Sequence, residues 1–149
     1  AAVREGLAQM AAIHPNVVWR KDPLDEFSVI AADETSMDEL FPFLQDLCAQ
    51  LDGFSLQRAG RYVRFSDARY NKGTALECVV EAWGLADGQL FIMGDGHNDI
   101  SAFKHYPKAF NACPLNAHQE VLDYAQEFGV YHSREKGVME AIQHWRQQI

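Results

Sequence analysis

The chain has 149 residues, enough for one sizeable hydrophobic core or two small ones. A net charge of −8 argues against nucleic acid, which is bound through clustered Lys and Arg, and no apolar run of about 18 residues is present to predict a membrane span. Cys48, Cys78 and Cys113 are odd in number and lack a C-x-x-C spacing, so they predict buried free thiols in a reducing, cytoplasmic setting; no signal peptide is read at the start.

Helical spacing at Val3, Leu7, Met10 and Ala11 predicts a first helix over Val3 to Ile13. Val17 to Arg20 and Phe27 to Ala32 read as short strands across a Lys21-Asp22-Pro23 turn. Leu40, Phe43, Leu44, Leu47 and Leu51 place one apolar face on a second helix, Met37 to Leu51, with Ser36 as its N-cap. Phe54 to Arg58 and Arg61 to Phe65 then form a hairpin around Ala59-Gly60. The order α-β-β-α-β-β predicts a small two-layer domain over residues 1–68.

From residue 69 the pattern alternates helix and strand. Gly73 to Trp83 is a predicted helix with Leu76, Val79, Val80 and Trp83 facing inward, and Gly84 ends it. Strands follow at Gln89 to Met93, Ala109 to Ala112 and Val130 to His132. Helices are expected to Lys104, over Asn116 to Phe128, and over Glu135 to Gln147 with Val138, Ile142 and Trp145 facing in. Such alternation predicts an α/β fold with a parallel, Rossmann-like sheet over residues 69–149.

The most informative stretch is Leu90-Phe91-Ile92-Met93-Gly94-Asp95-Gly96-His97-Asn98-Asp99. Four consecutive apolar residues suit a strand covered on both faces. The chain then turns through Gly94 and Gly96, leaving Asp95 and Asp99 at the strand's carboxyl end, where open α/β sheets bind ligands. Hard carboxylate oxygens there suit Mg²⁺, which takes one or two carboxylates and fills its other positions with water or phosphate. Helix capping alone needs neither Asp95 nor two glycines. The acidic spacing does not match an EF-hand, and the third glycine of a dinucleotide loop is replaced by Asp99. Lys72, in Asn71-Lys72-Gly73-Thr74-Ala75-Leu76, opens a predicted helix, where backbone N–H groups already favour anions and a lysine adds full positive charge.

The G-D-G-x-N-D pattern and the K-G-x-A-L context together resemble the haloacid dehalogenase (HAD) phosphatases. Ala112-Cys113-Pro114-Leu115-Asn116-Ala117 and Gly137-Val138 continue the likeness. The resemblance implies a Mg²⁺-dependent phosphomonoester hydrolase acting on a small, sugar-phosphate-like metabolite. Asp95 would be the direct metal ligand and Asp99 a second, acting through water or an orienting contact. Lys72 would steady the phosphoryl group, and Asn98 would hydrogen-bond that group or the loop. The α-β-β-α-β-β front resembles the cap of the Cof-type branch, subfamily IIB, so the fold expected is a cap plus the C-terminal part of the core.

The family's nucleophile belongs to a D-x-D motif on a core strand ahead of the cap. No D-x-D follows an apolar strand here; Asp22-Pro23-Leu24-Asp25 and Asp33-Glu34-Thr35 read as a turn and a helix lead-in. The family's serine or threonine motif is also missing. The expectation is therefore a chain lacking its nucleophile segment and inactive alone. Leu90 to Met93 would then be an open edge, prone to self-association or to pairing with a complementing chain. The alternative is a non-catalytic binding module derived from such an enzyme. His97 and the hairpin arginines Arg58, Arg61 and Arg64 are weaker candidates for substrate contact, while Trp83 and Trp145 read as core.

Overall fold

A computed structural model describes residues 2–15, 27–134 and 137–149. The strand expected at Val17 to Arg20, its turn, the Asp22–Asp25 cluster and the start of the last helix fall outside the described residues. The chain divides into two compact units, Ala1–Arg69 and Tyr70–Ile149.

In the first unit, helices α1 (Ala2–Ile13) and α2 (Glu34–Ala49) accompany an antiparallel sheet of β1 (Ser28–Ile30), β2 (Phe54–Ala59) and β3 (Tyr62–Asp67), in the order β1-β3-β2. The β2–β3 hairpin closes with Ala59 opposite Tyr62, and Gly60 takes the positive φ (55°) of its tight turn. One core joins Leu7 and Met10 of α1, Met37, Leu40 and Leu44 of α2, and Val29, Val63 and Phe65 of the sheet. The α2 cap differs from the expected one. Asp33 is the N-cap, and its carboxylate accepts the Ser36 N–H at 2.8 Å. An anion is the stronger acceptor at a helix N-terminus, and that bond is the largest cause holding the Asp33 carboxyl below its usual pKa.

In the second unit a parallel sheet runs β4-β5-β6, with β4 at Phe91–Met93, β5 at Phe110–Pro114 and β6 at Tyr131–Ser133. Four helices flank it: α3 (Lys72–Trp83), α4 (Ile100–His105), α5 (Gln119–Phe128) and α6 (Val138–Trp145). Phe91, Phe110 and Tyr131 point from one face toward α6, with Phe91 5.5 Å from Trp145 and Tyr131 stacked on His144 at 4.4 Å. On the opposite face Cys113 packs with Ile100, Phe103 and Val121 of α4 and α5, and Ile92 also packs against Val80 of α3. The mixed α/β class expected from the sequence is therefore present, with one parallel and one antiparallel sheet.

Three readings of side chains fail. Val79 and Trp83 are exposed, Trp83 at 75%: they lie along the same stripe of α3 as Leu76 and Val80, but the core that those two join does not extend over them. Cys78 lies on the opposite side of α3 from Leu76 and is exposed, not a buried thiol, whereas Cys48 and Cys113 are buried. Val138 is also exposed, and Ala141 is the buried residue of α6. Trp145 does pack inward, on Phe91.

Candidate active site at the carboxyl end of the parallel sheet

The acidic turn leaves β4 with Gly94 N–H still donating to Ala112 O at 3.2 Å. It then tightens into a 3₁₀ turn over His97–Asp99, which runs directly into α4. Asp99 organises it. One carboxylate oxygen, Oδ2, accepts the Asp95 N–H at 3.0 Å and the Gly96 N–H at 2.9 Å, while Oδ1 is ion-paired with Lys72 Nζ. Both oxygens of this buried aspartate are thus engaged by the protein. Gly94 is required by the same packing: a Cβ there would lie 2.3 Å from Asp99 Cβ and Cγ.

Lys72 reaches this point because Asn71 and Thr74 form a capping box at the start of α3, with Thr74 N–H donating to Asn71 Oδ1 at 3.1 Å and Asn71 N–H to Thr74 Oγ1 at 2.9 Å. Gly73 lets α3 approach α4 closely; a Cβ would stand 2.6 Å from Ser101 O and 2.8 Å from His105 Cβ. A lysine in the first turn opposes the helix dipole at a cost of roughly 0.3–1 kcal/mol, and Asp99 offsets that charge. The Lys72 side chain remains half-exposed.

Asp95 differs from Asp99 in every respect that matters for binding. Its backbone N–H is held by Asp99 and its carbonyl accepts the His118 N–H at 2.9 Å. Its carboxylate is exposed and makes no hydrogen bond or ion pair among the described residues. Asn98 follows on the same turn, its side-chain oxygen 3.1 Å from where a Cβ on Gly96 would lie, and its carbonyl accepts from Ser101 Oγ at 2.8 Å. Asp95, Asn98 and Asp99 share one turn, and Lys72 reaches it from the start of α3 by direct contact with Asp99.

Among the described residues no group of three or more His, Cys, Asp or Glu side chains is placed to hold a metal alone. The donor set instead fits a hard cation that keeps most of its shell as water or phosphate oxygen: one outward carboxylate, Asp95, on a backbone fixed at both its N–H and its carbonyl. His97 lies here too, its ring 4.6 Å from His118 and its Nε2 3.4 Å from Glu120. The sequence reading missed His118 and Glu120, which show no ligand spacing; the adjoining Asn116-Ala117 segment was the one signal at hand. Arg58, a candidate for substrate contact, is buried and paired with Asp38 while its Nε donates to Gly60 O at 3.0 Å. It is a structural residue of the hairpin.

The family model of the haloacid dehalogenase-like hydrolases matches residues 10–142. The chain belongs to that family. A phosphoglycolate phosphatase from Archaeoglobus fulgidus is 32% identical over 91 residues, which make up 61% of this chain and 40% of that protein. Among solved structures, the sucrose-phosphatase of Synechocystis, determined with sucrose and phosphate, superposes with a TM-score of 0.70 at 21% identity, over 96% of this chain and 62% of that one. A haloacid dehalogenase-like hydrolase from Bacteroides thetaiotaomicron superposes with a TM-score of 0.54 at 24% identity, over 78% of this chain and 42% of that one. These structural likenesses are at the level of fold. The chain spans about two-fifths of the phosphoglycolate phosphatase and about three-fifths of the sucrose-phosphatase.

Proposed function

We propose that this chain carries the metal- and phosphate-holding part of a phosphomonoester hydrolase active site, for a small phosphorylated metabolite. The observation that carries the reading is the division of labour between two aspartates four residues apart: Asp99 is spent on the Asp95–Gly96 backbone and on Lys72, while Asp95 points its carboxylate outward. Mg²⁺ held by Asp95 would supply positive charge against the phosphoryl oxygens as negative charge builds on the leaving group. Lys72 meets a second phosphoryl oxygen with its ammonium, held in place by Asp99. Asn98 orients the phosphoryl group by hydrogen bonding. Residues Ala1–Arg69 take the role of a substrate-selecting cap, and the attacking carboxylate comes from outside these 149 residues. The phosphatases among the similar proteins support the choice of a phosphomonoester.

Calorimetric titration of inorganic phosphate tests this reading. Binding is expected with Mg²⁺ present, with a loss of roughly tenfold or more in Lys72→Met, since one charge-assisted contact contributes about 1.5–3 kcal/mol. Phosphate binding indifferent both to Mg²⁺ and to Lys72→Met would overturn it.

A further inference from the structure

We infer that His118, acting with Glu120 through His97, is a positioning residue that fixes the direction of the Asp95 carboxylate. The inference rests on the reading of Asp95 as the cation-holding group. His118 immediately precedes α5, and its carbonyl accepts the first helical N–H groups, from Val121 at 2.9 Å and Leu122 at 3.1 Å. Its own N–H donates to the Asp95 carbonyl at 2.9 Å, so the acidic turn is tied directly to the start of a ten-residue helix. Its ring meets the His97 ring at 4.6 Å and an angle of 42°, and His97 Nε2 lies 3.4 Å from a carboxylate oxygen of Glu120.

These contacts grip the turn on both sides of Asp95. The backbone bond holds residue 95 itself, and the ring contact holds residue 97, two positions on. Between them Gly96 has no side chain to restrict its backbone, so the turn needs outside support. A single exposed carboxylate that holds a cation must also surrender its own freedom on binding, and a preorganised backbone lowers that cost. Asp99 anchors the turn's N–H groups from within. His118 anchors its carbonyl and the far shoulder from the neighbouring β5–α5 loop. The site thus extends to a loop that contributes no ligand.

The test uses the full chain and Mn²⁺ alone, followed by water-proton relaxation, with wild type, Asp95→Ala, His118→Ala and His118→Phe compared. The phenylalanine keeps a ring against His97 and keeps the backbone N–H. Loss of the ring contact is expected to weaken Mn²⁺ binding roughly three- to tenfold in His118→Ala, with most of it restored in His118→Phe. Amide exchange at Asp95 and Gly96 is expected to speed up in His118→Ala while exchange across β5 and β6 is unchanged. Equal binding by wild type and His118→Ala, with Asp95→Ala defective, would overturn the positioning role and leave the reading of Asp95 standing. Equal weakening in the alanine and phenylalanine variants would also overturn it. Mn²⁺ binding indifferent to Asp95→Ala would overturn the reading of Asp95 itself.

Discussion

Replacing Gly94 by alanine probes whether Asp99 organises the turn as described. The added Cβ would stand 2.3 Å from Asp99 Cβ and Cγ and 2.6 Å from Oδ2, against ordinary carbon contacts of about 3.5–4.0 Å. Asp99 must therefore shift by about 1 Å or more, and it cannot do so by swinging a flexible tip, because its Cβ is part of the clash. The shift breaks two hydrogen bonds, from Asp95 N–H at 3.0 Å and Gly96 N–H at 2.9 Å, and the pair with Lys72. Hydrogen bonds to a charged group contribute about 1.5–3 kcal/mol each, and a half-exposed ion pair less than about 1 kcal/mol, so a loss of about 3–7 kcal/mol is expected. That is a large share of a typical stability of about 5–15 kcal/mol. The assay is urea unfolding beside a matched control, Gly88→Ala, where a Cβ meets nothing within 4 Å and φ is not positive. The control is expected to fall within about 0.5 kcal/mol of wild type. If the two variants unfold at the same urea concentration, the account of the turn is wrong.

Other consequences are equally accessible. Cys78 is exposed, whereas burial pushes the Cys48 and Cys113 thiols above their usual pKa, so a disulfide reagent at neutral pH should label one thiol rapidly and the other two only on unfolding. Three fast thiols would contradict the packing. Asp67 is held at a pKa of about 2, chiefly by the Arg69 guanidinium and backbone N–H. Because this folded value lies below the unfolded carboxyl value of about 3.9, the contribution is present above that pH and fades as pH falls toward 2. Asp67→Asn should flatten the stability curve in that window alone. Among the described residues β4 pairs on one side only, with β5, and the nearby α3 exposes Val79 and Trp83. We propose that the chain self-associates through this region; sedimentation velocity should show mass rising with concentration, and a monodisperse monomer at all concentrations would refute it.

The elements and the acidic turn were legible because each depends on local chemistry. Asn71 before the lysine and Gly84 at φ 62° bracket α3 as sequence rules require, and Gly129 at φ 72° ends α5 likewise. The family resemblance put Lys72 and Asp99, 27 positions apart, in one site with separate roles on phosphate and metal; the direct ion pair between them was not part of that expectation. Side-chain burial was less legible. Helical spacing identifies an apolar stripe but not whether anything covers it, so Val79 and Trp83 read as core and are exposed. The choice between Asp33 and Ser36 as the α2 cap turned on which group accepts and which donates, a matter of backbone position that neighbouring capping residues do not reveal. His118 was invisible for another reason. Its role lies in a backbone N–H and a ring contact made across separate loops, and neither leaves a spacing pattern in the chain.

The most direct test of the central claim is a Mg²⁺ titration of the chain labelled with ¹³C at its carboxyl carbons. The account predicts that the Asp95 carboxyl carbon shifts first and most, while that of Asp99, already engaged by Lys72 and two backbone N–H groups, responds little. Shifts spread evenly over the carboxylates of this acidic chain, or a response at Asp99 with none at Asp95, would contradict it.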